Sequence, residues 1–62
     1  MISHLPLYDV PMLVSTVNCL LRDREFDNLD DMCGYFEVSR DEVEKILASA
    51  DFKYDEDLNK II

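Results

Sequence analysis

One glycine, one histidine, two cysteines and six basic residues are all that this chain of 62 offers of the residue types from which many sites are built. The lone glycine, Gly34, excludes a glycine-rich phosphate loop and a nucleophile elbow, which need several backbone positions able to turn sharply or approach a ligand. Cys19, Cys33 and His4 fall short of the four ligands of a closed zinc site, and two cysteines make no disulfide framework. No paired-acid constellation is visible either, so the chain is expected to be neither an enzyme nor a holder of cofactor or metal. It has no run approaching the roughly 18 apolar residues of a membrane span. Its opening, MISHLPLYD, lacks the basic start and unbroken apolar stretch of a signal peptide. These absences predict a cytoplasmic protein with reduced thiols and no membrane partner.

What the chain has in quantity is acid. Fourteen Asp and Glu against six Lys and Arg give a formal charge of -8, which repels nucleic acid and anionic lipid and favours a basic partner. A single domain over residues 1–62 is expected. A domain of this size buries only about 60% of the surface its unfolded chain exposes. With disulfides and metal set aside, self-association as a homodimer is the expected supplement to its stability.

The apolar spacing predicts three helices. Asp9 reads as an N-cap with Pro11 in the first turn, where a missing N–H costs nothing, and the helix is expected to reach about Arg24. Val10, Leu13, Val14, Val17, Leu20 and Leu21 share an arc of about 120°, the width of a core-facing stripe. Asp27 or Asn28 is placed to cap a second helix with Leu29, Met32, Cys33 and Phe36 on one side, weakened modestly by Gly34 within it. Ser39-Arg40-Asp41-Glu42 has the pattern of a capping box. It opens a third helix to about Ala50, with Val43, Ile46, Leu47 and Ala50 inward. The tail alternates at Phe52 and Tyr54 and closes with Lys60-Ile61-Ile62, which predicts a short hairpin resting on the helices. Residues 1–8, with Ile2, Leu5, Leu7 and Tyr8, are expected to form an extended arm over the core.

Leu29, Met32, Cys33, Phe36, Val38, Ser39, Val43 and Leu47 resemble the spacing of the bacterial helix-turn-helix superfamily. That resemblance implies a mainly α, three-helix, helix-turn-helix-like domain with a C-terminal β-hairpin of the winged type. Glu37 stands where the superfamily commonly has a glycine in left-handed backbone, at a cost of order 1 kcal/mol. The stretches PMLVSTVNCLLRD, LDDMC and FKYDEDLNKII resemble a family of small bacterial proteins known as a domain of unknown function. That likeness covers nearly the whole chain and implies no activity, ligand or catalytic residue.

DNA binding does not follow from a helix-turn-helix pattern, because phosphate contacts need cations. The early exposed positions of helix three are Arg40, Asp41, Glu44 and Lys45, beside Glu42, so acids outnumber bases there. Arg22, Arg24, Lys53 and Lys60 are expected to be scattered, with Lys53 and Lys60 at the edge of a wing. Nucleic acid is therefore an unlikely partner. The expected function is a non-catalytic protein-interaction or adaptor module; the alternatives are a small winged DNA-binding regulator and an acidic DNA mimic.

Candidate interaction residues are Ser15, Asn18, Arg22, Arg40, Asp41 and Glu44. Ser15, Asn18 and Arg22 share a second face of helix one, readable as a recognition stripe in which Arg22 grips an anion or as side chains that tie down the arm or the hairpin. Met12, Thr16 and Cys19 form a weaker strip, to be covered either by a second copy or by Ile2 and Leu5. Asp55, Asp57 and Asn59 imitate the start of a calcium loop, but Lys60 stands at its glycine position, so a solvated turn is expected.

Overall fold

A computed structural model describes residues 4–62. Helix α1 spans Val10–Arg22, α2 Leu29–Phe36 and α3 Arg40–Ala48, followed by strands β1 Tyr54–Asp55 and β2 Lys60–Ile61. The chain is thus a mainly α three-helix domain with a short antiparallel hairpin after the third helix, as the residue pattern predicts. α1 packs against α3 and β2, and α2 packs against α3.

Two of the three helices begin on side-chain caps. Asp9 Oδ1 accepts from the Met12 N–H at 3.1 Å, and Asn28 Oδ1 accepts from the Asp31 N–H at 2.9 Å, so Asn28 and not Asp27 caps α2. Ser39 precedes α3 in extended backbone but makes no side-chain cap bond. The expected capping box is absent.

All three helices end alike. After α1, the Arg24 N–H donates to Leu21 O (3.2 Å) and the Glu25 N–H to Leu20 O (3.0 Å); after α2, Glu37 donates to Gly34 O (3.3 Å) and Val38 to Cys33 O (3.0 Å); after α3, Asp51 donates to Ala48 O (3.0 Å) and Phe52 to Leu47 O (2.9 Å). This is the Schellman pattern, which needs one left-handed residue per helix end. Arg24 (φ 61°), Glu37 (φ 58°) and Asp51 (φ 65°) fill that role without a glycine. The left-handed turns stop α1 and α3 two residues short of the expected Arg24 and Ala50, and Ala50 lies exposed.

The core consists of Leu13, Val17 and Leu21 from α1, Leu29, Met32, Cys33 and Phe36 from α2, Val43 and Leu47 from α3, Ile61 from β2, and Leu5 from the segment before α1. Val14, Leu20 and Ile46 pack at its edge, and Val10 is half-buried. Leu5 thus covers the helices; Ile2 lies outside the described residues. Met12 stays half exposed (50%), and Cys19 is exposed beside half-buried Thr16. In the hairpin Tyr54 pairs with Ile61 and Asp55 with Lys60. Lys53 and Ile62 add two backbone bonds at 3.0 and 2.9 Å. Phe52, expected in the strand, precedes it and packs on the core, because its N–H is taken by the end of α3.

Candidate functional site

The hairpin is fixed to α1 by one side chain. In an antiparallel pair the residues that are not hydrogen-bonded to each other turn their backbone groups outward, and Tyr54 and Ile61 are such a pair beside the bonded Lys53 and Ile62. The outward groups of Ile61 meet Asn18: its Nδ2 donates to Ile61 O at 3.1 Å, and the Ile61 N–H donates to its Oδ1 at 2.7 Å. The carboxamide thus occupies the place of a third strand on an otherwise bare edge. A second stitch joins the hairpin turn to the loop before α2, where Asn59 Nδ2 donates to Asp27 O at 3.0 Å. The Asn59 Oδ1 accepts from the Tyr54 hydroxyl.

Docking the hairpin there leaves an open groove of about 920 Å³ between α1, the turn after it and the hairpin. Ser15, Asn18 and Arg22 lie along one wall, Arg24 and Phe26 at the end of the helix, and Leu58 and Lys60 opposite. Three cations expected to be scattered are therefore neighbours of one groove. Arg24 arrives through the left-handed turn and Lys60 through the Asn18–Ile61 link, two tertiary features that spacing along the chain does not reveal. Arg22 is 76% exposed in its side chain and pairs through Nε with Asp23 Oδ1 at 3.3 Å. Cys19, also on the groove, lies with Sγ 3.6 Å from Arg22 Nη2 and 3.5 Å from Asp23 Oδ2. Ser15 is exposed.

The other candidates sit at the start of α3, where Arg40 is held from three sides. Its Nη1 donates to Asp30 of α2 at 3.0 Å, its Nε to Glu44 one turn along α3 at 3.0 Å, and its Nη2 to Glu56 of the hairpin turn at 3.1 Å. The guanidinium also lies 5.2 Å from the centroid of the Tyr54 ring. The hydrogen bond to Asp30, then that to Glu44, raise the Arg40 pKa beyond its ordinary range, with burial opposing them and the bond to Glu56 adding to the rise. Asp41, with Glu42, is left exposed in the first turn of α3, and Asp30 and Asp31 occupy the first turn of α2. Acids at these positions suit the positive ends of the helix dipoles.

Of the six sequence-derived candidates, Ser15, Asn18 and Arg22 share the groove, while Arg40 and Glu44 share the ion network and Asp41 stands beside it. Sequence reasoning missed Asp30, Glu56 and Tyr54 around Arg40, and Phe26 and Leu58 on the groove. Only the Arg40–Glu44 contact, at i and i+4 on one helix, carries a local signal. The acids of the hairpin turn make a turn: Asp55 Oδ1 accepts from the Leu58 N–H at 3.0 Å. Among the described residues no group of three or more His, Cys, Asp or Glu is arranged to hold a metal, and no helix is long and apolar enough to cross a membrane.

No curated protein and no solved structure shows significant similarity to the chain. A family model does match it over residues 8–61, from the turn before α1 through β2. By that match the chain belongs to the family described as Domain of unknown function (DUF4250).

Proposed function

We propose that this chain is a small non-catalytic adaptor of the bacterial cytoplasm, which presents the acidic first turns of α2 and α3 to a basic partner protein. The observation that carries the reading is the capture of Arg40. In a DNA-reading helix-turn-helix the start of the second helix faces the duplex and needs cations for phosphates. Here the one arginine at that position is neutralised by Asp30, Glu44 and Glu56, and the exposed neighbours are Asp31, Asp41 and Glu42. A polyanion meets repulsion on this face, whereas lysines and arginines of a partner meet exposed carboxylates in the first turns of two helices.

The test titrates the protein with an arginine-rich peptide and, separately, with duplex DNA at low salt. The peptide is expected to shift the backbone amides of Asp31, Asp41 and Glu42, and the double change Asp41→Lys with Glu42→Lys to weaken it about tenfold. Mobility shift with duplex is expected to show no complex. Tight duplex binding that weakens steeply as salt rises overturns the reading in favour of a winged DNA-binding regulator.

A further inference from the structure

We infer that the groove between α1 and the hairpin is a second docking site, built to take a short acidic peptide segment of a partner protein that carries an apolar anchor. The proposal does not depend on the basic-partner reading of α2 and α3, since it uses different residues and the opposite charge.

The distribution of charge points to an anionic occupant. Half of the chain's six basic residues line this groove, namely Arg22, Arg24 and Lys60, against one of its fourteen acidic residues, Asp27. Asp23, outside that lining, is the partner of Arg22. That pair is exposed, and such a pair contributes about 0–1 kcal/mol; an incoming carboxylate therefore replaces Asp23 at little cost. Of the other three bases, Arg40 is held by three carboxylates and Lys45 and Lys53 lie exposed outside the groove, so the groove is where three cations border one surface.

The groove also asks for apolar contact. Leu58 stands at its edge with 59% of its surface exposed, facing a lining that includes Val14, Leu21 and half-buried Phe26. An exposed leucine at a hairpin turn gains nothing in the free protein, while against an apolar side chain of a ligand it buries surface at about 25 cal/mol per Å². Its volume of about 920 Å³ lies at the upper end of small-ligand sites, but those enclose most of their ligand. An open groove instead suits a peptide, which covers one wall and leaves its other side in water.

Length is limited by what lies beyond the rim. Asp27 and Asn59 line both this groove and the adjoining depression that holds Asp30, Arg40 and Glu56, so their link is the ridge between the two. A ligand that overruns the ridge meets carboxylates. At physiological salt a charge is screened over about 8 Å, and the described residues span 25 × 25 × 18 Å. A short segment therefore feels chiefly the three cations, whereas a nucleic acid duplex spans the acidic surface as well.

The experiment follows backbone amide resonances of the full chain during titration with a capped short peptide of leucine, phenylalanine, aspartate and glutamate. Three controls accompany it: the same peptide with lysine for each acid, the same with serine for each apolar residue, and a DNA duplex. Saturable shifts are expected at Ser15, Arg24, Leu58 and Lys60 with the acidic apolar peptide. The double change Arg22→Glu with Lys60→Glu is expected to weaken binding about tenfold, and Leu58→Ser to weaken it separately. Arg22, Lys60 and Leu58 are exposed, so an unchanged melting temperature of each variant confirms that the fold persists. Absence of groove shifts, equal binding of the lysine or serine peptide, or displacement of the acidic peptide from the groove by duplex each overturns the proposal.

Discussion

The Asn18 side chain and the Ile61 backbone exchange two hydrogen bonds, at 3.1 and 2.7 Å, across 43 positions of sequence. Ile61 is itself a core residue, 4% exposed, so the two bonds place an apolar anchor as well as an edge strand. Asn18→Ala leaves a part-buried N–H and C=O without partners and is expected to destabilise the fold by about 2 kcal/mol. For a chain this short that corresponds to a loss of roughly 10 °C in melting temperature. Asn18→Asp keeps the acceptor for the Ile61 N–H but turns a carboxylate toward the Ile61 carbonyl, and is expected to recover little of the loss. Thermal melts of the two variants beside the parent check both; a melting point within a few degrees of the parent for Asn18→Ala removes the structural role.

What was legible in the sequence was local. Leu13, Val17 and Leu21 recur at helical spacing and are buried, as are Leu29, Met32, Cys33 and Phe36, because the centre of an apolar stripe is set by its period. The left-handed Glu37 follows from the helix-turn-helix resemblance, the cap of α2 narrows to Asp27 or Asn28, and Asp9 was likewise readable from short-range chemistry. The ends of α1 and α3 were not, since nothing in Arg24 or Asp51 favours a left-handed backbone strongly enough to mark a stop. The neighbourhood of Arg22, Arg24 and Lys60 was out of reach for a different reason. It depends on where the hairpin docks, and the residue that docks it, Asn18, reads equally well as a ligand-binding amide on the surface of a helix.

Glycine is placed where the backbone does not require it. Gly34 sits inside α2 at ordinary helical angles, and a Cβ built on it meets nothing within 4 Å, while Glu37 and Asp51 hold left-handed turns that a glycine adopts without strain. Gly34→Ala is expected to stabilise by about 0.5–1 kcal/mol through helix propensity. Glu37→Gly is expected to stabilise by a similar amount, because relief of the left-handed backbone exceeds the added freedom of the unfolded chain. The two effects act on different terms, one on the unfolded ensemble and one on native strain. Thermal melts of both variants check the signs, and a lower melting temperature for Gly34→Ala contradicts the open space around that site.

The unequal caps give a paired comparison. Asn28 accepts a 2.9 Å bond from the Asp31 N–H, and Asn28→Ala is expected to cost about 1 kcal/mol. Ser39 makes no such bond, so Ser39→Ala is expected to cost under about half of that. Equal losses in chemical denaturation would mean that the serine does cap α3 in solution and that the capping box forms after all.

The Cys33 thiol supplies a pH dependence whose sign is fixed by burial. Burial pushes its pKa above the ordinary value of 9.0, Asp30 pushes the same way, Arg40 opposes and Glu44 adds to the rise. A thiol that ionises less readily when folded keeps its proton in the native state while the unfolded chain loses it. The native state therefore binds more protons above about pH 9, so the thiol's contribution is fully present below the ordinary value of 9.0 and is lost as pH rises from there through the folded-state pKa. Cys33→Ala is expected to be less stable at neutral pH, because it empties core volume, yet to lose less stability than the parent as pH rises above about 9. The two proteins differ in ionisable groups only at this thiol, so the difference between their alkaline slopes reports it. Native alkylation supplies an independent check: exposed Cys19 reacts first and buried Cys33 only at the rate of opening. Identical alkaline slopes, together with equal alkylation rates for the two thiols, would show that Cys33 reaches solvent in the native state.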